Sequence, residues 1–195
     1  MADTKTEKFP KITVKSSIAK PGSKKSLTVK GVTLDELRTN LNKHDHWGEY
    51  VCNANMGYKN DGKKRIVEVS VSAKPDIYMP VWSDYSKASK DDKKAWDDMY
   101  AKLLKHETNH HYLALEVFAI FLQEIEVQNA QAEATNKAVE KEKDPKKKEK
   151  LLAGFKPWTV TTLKARLKTL GTDLQKVQDD YDKKTNHGQK EGVKI

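Results

Sequence analysis

The sequence predicts an α+β fold: a small antiparallel sheet with a short helix, followed by a helical half. Three observations predict it. Val67, Val69 and Val71 alternate with Glu68, Ser70 and Ser72, the period of a strand with one buried face. From about Ser89 the apolar period lengthens to that of a helix and holds to roughly Lys141. A further helical pattern, carried by Leu163, Leu167, Leu170, Leu174 and Val177, runs from about Thr159 to Lys183.

Residues 1–25 form a polar lead-in with a short strand expected at Ile12–Val14, and Ser26–Val32 reads as a strand. Thr33 and Glu36 make a capping box, which should start a helix running to about Asn42. Trp47–Tyr58 and Arg65–Ala73 read as a β-hairpin about the Asn60-Asp61-Gly62 turn. Ile77–Trp82 reads as a separate extended piece, and Pro80 assigns it to a sheet edge. The long helical stretch carries a break signal near Asn129, and Lys141–Lys150, with Asp144-Pro145 inside it, reads as a solvated linker. There is no internal repeat. The expected organisation is therefore the lead-in and one domain over 26–195, mainly strands in 26–88 and mainly helices in 89–195.

Composition narrows the function classes. The chain has 195 residues, 36% hydrophobic and 33% charged, enough for a buried core under a highly charged surface. No apolar run approaches the roughly 20 residues of a membrane span. The polar N-terminus lacks the apolar core of a Sec signal peptide, which leaves a cytoplasmic protein or one exported by a route that needs no signal peptide. Cys52 is the single cysteine, which excludes an internal disulfide and a cysteine-rich zinc site. The formal charge of +9 is spread among interspersed Asp and Glu, and aromatic interleaving is missing, so a nucleic-acid surface is disfavoured.

The chemistry concentrates in His106-Glu107-Thr108-Asn109-His110, an H-E-x-x-H motif within the long helix. Histidines four apart share a helix face and can reach one ion, while Glu107, a quarter turn round, can address a metal-bound water. Both histidines project to the edge of the apolar stripe formed by Trp96, Met99, Leu103, Ala114, Val117, Phe121 and Ile125. A catalytic zinc needs a third protein ligand. A histidine six residues after His110 would supply one, but position 116 is Glu116. Glu124, Glu126 and Glu133 are candidates further along, although the first two lie far down the same helix. His111 points away from His110, and His44 and His46 read as solvated. His187 lies in Thr185-Asn186-His187-Gly188, where a loop after the last helix can fold back towards the motif.

Three segments, in order over residues 26–193, resemble the bacterial family called domain of unknown function 922, whose members are described as predicted secreted zinc-dependent proteases. They are Leu27–Thr33 with the Trp47 hairpin and Tyr78–Trp82; His106–His110 after Trp96; and Tyr181-Asp182-Lys183-Lys184-Thr185-Asn186-His187-Gly188, which is similar to that family's Tyr-Asp-x-x-Thr-x-His-Gly signature. The resemblance implies a zincin-like metallopeptidase acting on a protein or peptide, with His106 and His110 as Zn²⁺ ligands and Glu107 as base. His187 carries over as a member of the signature, and we infer a ligand role for it from the missing third ligand, with the glutamates as the alternative. On this reading Glu107 moves the water proton to the leaving amine and Tyr181 donates to the tetrahedral oxyanion. Asp182 or Thr185 orients a ligand histidine, and the Tyr78–Trp82 strand pairs with an extended substrate. Two other classes compete: a zinc-stabilised interaction module without turnover, and a basic nucleic-acid binder.

Overall fold

The computed structural model describes residues 8–195, and the α+β organisation holds: strands precede helices. The first seven residues of the expected lead-in lie outside the described residues. The strands are β1 (Thr13–Ile18), β2 (Gly22–Val29), β3 (Glu49–Asn60) and β4 (Ile66–Trp82), with α1 (Leu34–Leu41) between β2 and β3. The helical half comprises α2 (Lys90–Lys141), α3 (Pro145–Gly154) and α4 (Val160–Thr185). The capping box forms: Thr33 Oγ1 accepts from the Glu36 N–H at 3.4 Å, and Glu36 accepts from the Thr33 N–H at 3.4 Å.

β4 is the hub of the sheet, lying between β1 and β2 and also pairing with β3. The sheet is mixed rather than purely antiparallel, because β2 runs parallel to β4 from Gly22↔Asp76 to Val29↔Trp82. The chain passes through α1 and β3 between these two strands, the long connection that parallel pairing requires. β1 is almost wholly exposed, so it joins through backbone bonds and polar pairs rather than an apolar face. Glu68 of β4 meets Lys15 of β1 at 2.7 Å and Lys59 of β3 at 3.0 Å. These two lysines, Lys15 first, hold its carboxyl below the usual carboxylate range.

Three local expectations change. The two pieces read as Arg65–Ala73 and Ile77–Trp82 are one 17-residue strand. Pro80 sits within it, beside β2, where the register steps from Lys25↔Met79 to Thr28↔Val81. Ser26 and Leu27 thus face a single proline, and the bulge spares the ladder the N–H that Pro80 lacks. The signal near Asn129 marks no break: α2 is continuous over 52 residues. The Lys141–Lys150 block is largely helical, because Asp144 caps α3 by accepting from the Lys146 N–H and Pro145 occupies its first turn.

The chain gathers into two compact units. One takes residues 8–17, 55–72 and 117–172 of the described chain. Here Asn129 is a clamp: it accepts from the Ile12 N–H at 2.7 Å and donates to the Ile12 carbonyl at 2.9 Å. Asn136 does the same for Phe9, at 2.9 Å for both bonds. Glu124, one of the glutamates considered as a ligand, belongs to this unit and receives two bonds from Arg166, at 2.6 and 2.8 Å. The other unit takes residues 18–54, 73–116 and 173–195. Its core packs Leu37 and Leu41 of α1 and Ile77, Met79 and Trp82 of β4 with Trp96, Met99 and Leu103 of α2. Trp82 and Trp96 are buried in this core, and Trp47 packs against it partly buried.

Candidate metal centre

The second unit contains every residue of the candidate site. α2 presents His106 and His110 one turn apart, on the buried side that also carries Met99 and Leu103. The last turns of α4 present Gln178, Tyr181 and Asp182. After α4 the chain reverses through three consecutive left-handed residues, Asn186 (φ 51°), His187 (φ 50°) and Gly188 (φ 79°). Side chains at Asn186 and His187 strain against this conformation, and a bond from the His187 N–H to the Asp182 carbonyl at 2.9 Å closes the turn. At Gly188 the glycine is required twice over. A Cβ there would stand 2.7 Å from Val193 Cγ2 and 3.3 Å from His106 Cγ.

Asp182 Oδ1 lies 3.1 Å from His106 Nε2 and 3.1 Å from His110 Nε2, and the two Nε2 atoms are 3.2 Å apart. The outer nitrogens of the rings are engaged as donors. His106 Nδ1 donates to Glu191 Oε2 at 2.8 Å, and a carboxylate can only accept. His110 Nδ1 faces Gln178 Oε1. The orientation of that amide is set by its Nε2, which donates to the His110 carbonyl at 3.1 Å. A neutral ring with its proton on Nδ1 turns its Nε2 lone pair inward, and in that form both rings aim with the Asp182 oxygen at one point. Burial, the largest influence on His110, lowers its pKa and favours the neutral ring, although Asp182 opposes this. The Asp182 carboxylate oxygen accepts from a ring N–H as readily as it binds a cation, so either ring protons or a cation must lie among these three atoms. The His-His-Asp group could therefore hold a metal ion.

Glu107 is 4% exposed. Burial, followed by the nearby charges of Asp182 and Glu49, pushes its carboxyl up to about 8, and a bond from the Tyr50 backbone opposes them. A cation held by the three ligands would pull it back down. Gly48 lets the chain before β3 come this close: a Cβ there would stand 2.8 Å from Glu107 Oε1.

The Tyr181 ring stacks on His106 with centroids 4.9 Å apart. Its hydroxyl donates to Glu191 Oε1 at 2.8 Å and accepts from Asn109 Nδ2 at 2.7 Å. His187 is more than half exposed, with Nδ1 3.8 Å from Asp182 Oδ1 and its ring 5.5 Å from that of His46. Thr185 is buried and spends its hydroxyl on the turn, donating to the Tyr181 carbonyl at 2.9 Å and accepting from the Gly188 N–H at 3.3 Å. His111 stands outside the group, with its Nδ1 in a hydrogen bond to the Tyr50 hydroxyl at 3.2 Å.

The structure thus brings together His106, His110 and Asp182, with His187 at their edge. Sequence reasoning noticed Asp182 only as an orienting group. The available signal was its place within the Tyr181–Gly188 signature, one helical turn after Gln178. Glu191 was not noticed at all; it lies beyond the signature, in the short 3₁₀ turn Gln189–Glu191.

No curated protein and no solved structure matches this chain. The family described as "Bacterial protein of unknown function (DUF922)" matches residues 24–188, a span that holds the sheet hub, His106–His110 and the Tyr181–Gly188 signature. This chain belongs to that family.

Proposed function

We propose that this protein is a zinc-dependent metallopeptidase whose metal is held by His106, His110 and Asp182. The observation that carries the reading is the triangle of ligand atoms. Atoms about 2.0–2.1 Å from a tetrahedral zinc lie about 3.3–3.4 Å apart, and the three separations here are 3.1, 3.1 and 3.2 Å. Two imidazoles and one carboxylate also match the donor chemistry of catalytic zinc, which keeps a fourth position open. Zinc bound there would supply a Lewis acid for the scissile carbonyl and lower the pKa of a water towards neutrality.

The chain's own residues supply the rest. Glu107 is the group placed to accept a proton and return it to the leaving nitrogen. Glu191 and Gln178 hold the two imidazoles with Nε2 inward. The Tyr181 hydroxyl already gives its proton to Glu191, so it would have to exchange that bond to serve a developing oxyanion. We therefore assign Tyr181 first to packing and orienting His106. His187 is assigned to the rim, next to Asp182. No helix among the described residues is long and apolar enough to cross a membrane, and a protein or peptide substrate is the proposed partner.

A second reading, a zinc-stabilised module without turnover, is favoured by one observation: His187 Nδ1 stands 3.8 Å from Asp182 Oδ1, close enough to become a fourth protein ligand. Metal analysis and turnover test both readings. Protein purified without chelators should carry one zinc, and peptide cleavage should stop on chelation and return with zinc. One zinc without cleavage of a broad peptide library would favour the second reading. Absence of zinc binding would refute both.

A further inference from the structure

We infer that Glu191 is a positioning residue that fixes His106 as a metal ligand. This rests on the metal reading of His106, His110 and Asp182. The Glu191 carboxylate divides its two oxygens between two donors. Oε2 accepts from His106 Nδ1 at 2.8 Å, and Oε1 accepts from the Tyr181 hydroxyl at 2.8 Å. Asn109 Nδ2 donates to that same hydroxyl at 2.7 Å, which turns the hydroxyl proton towards Glu191. One carboxylate thereby holds a proton on His106 Nδ1, turning Nε2 towards Asp182, and holds the Tyr181 ring flat against the imidazole.

The segment that delivers Glu191 is built for this placement. Gly188 (φ 79°) and Gly192 (φ 86°) bracket the turn in left-handed conformations. Val193 is 4% exposed and packs in the core with Leu103 and Met99, anchoring the turn against the α2 face that carries His106. Glu191 itself lies three residues past the stretch that matches the family, so this chain's own tail completes the surroundings of a histidine within the family region.

The test uses the full chain and two independent readouts. The first is the proton on His106 Nδ1 in metal-free protein, read from long-range ¹H–¹⁵N spectra of the imidazoles. Wild type should show Nδ1 protonated whether or not Nε2 also donates to Asp182, and Glu191→Ala should lose that proton in part of the molecules. The second is zinc affinity by competition with a chromophoric chelator. Glu191→Ala should bind about 10–100-fold more weakly, the usual cost of deleting an orienting partner. Glu191→Gln keeps an acceptor oxygen for His106 and should recover most of that loss, which a merely structural role would not predict. Val193→Ala, which loosens the anchor but leaves the carboxylate, controls for stability and should keep the Nδ1 proton. An unprotonated Nδ1 in wild type, or Nδ1 protonation and zinc affinity unchanged in folded Glu191→Ala, would overturn the inference. If wild type binds no zinc, the metal reading fails and the Nδ1 readout still decides the role of Glu191.

Discussion

Replacing Asp182 with asparagine should remove most of the stabilisation that zinc gives this protein. Asp182 Oδ1 is shared by both imidazoles at 3.1 Å, so the substitution keeps the shape of the site and deletes the one formal negative charge among the three proposed ligands. Losing an orienting partner costs about 10–100-fold in metal affinity, and losing a charged ligand costs more, on the order of 1,000-fold. At free zinc 1,000 times the wild-type Kd, binding stabilises the native state by about 4 kcal/mol; at the same zinc the variant gains about 0.4 kcal/mol. For a chain of this size each kcal/mol moves Tm by about 2–4 °C. Zinc should therefore raise Tm by about 8–16 °C in wild type and by about 1–2 °C in Asp182→Asn, measured by thermal melts in a zinc buffer. His187→Ala, in which the removed ring stood 3.8 Å from Asp182 and was largely exposed, should keep most of the wild-type shift. A full shift in Asp182→Asn with a lost shift in His187→Ala would refute the assignment and make His187 the third ligand.

Three further outcomes are expected. Glu107→Gln should bind zinc as wild type does and cut peptide turnover by at least about 10²-fold, the low end of general acid–base contributions; cleavage at the wild-type rate would remove Glu107 from the mechanism. Gly48→Ala places a Cβ 2.8 Å from Glu107 Oε1 and 3.1 Å from Leu103 Cδ1. It should cost about 1–3 kcal/mol in denaturant unfolding, the range of overpacked cores, and unchanged stability would show that the β3 approach gives way freely. Asn129→Ala deletes both bonds to Ile12 and should destabilise by about 1–3 kcal/mol; hydrogen exchange at the Ile12 amide should rise, and an unprotected wild-type amide would contradict the clamp.

Local signals in the sequence were enough for the order of elements. The valine alternation marked β4, Thr33 and Glu36 marked the start of α1, and the change of period marked α2. They misjudged elements whose character depends on a neighbour. Pro80 reads as an edge signal until a bulge in β2 is seen to face it. Asn129 reads as a break until its amide is seen to bond Ile12. Asp144-Pro145 reads as a linker, although the same pair caps and opens α3.

The candidate site divides in the same way. His106, Glu107 and His110 were legible because four residues of helix hold them on one face, a relation fixed by local geometry alone. The third member was not. Asp182 and His187 stand in one short signature, and spacing cannot say which of them turns inward. In the folded chain α4 turns Asp182 towards both histidines, while the left-handed turn at Asn186–Gly188 leaves His187 more than half exposed. Glu191, which meets His106 from 85 residues away, has no sequence signal because nothing periodic relates it to its partner. The sequence by itself determined the helix-borne half of the site, since a helix is a local object. The opposing half depended on how α4 and the turn after it pack against α2, and only the folded chain contains that information.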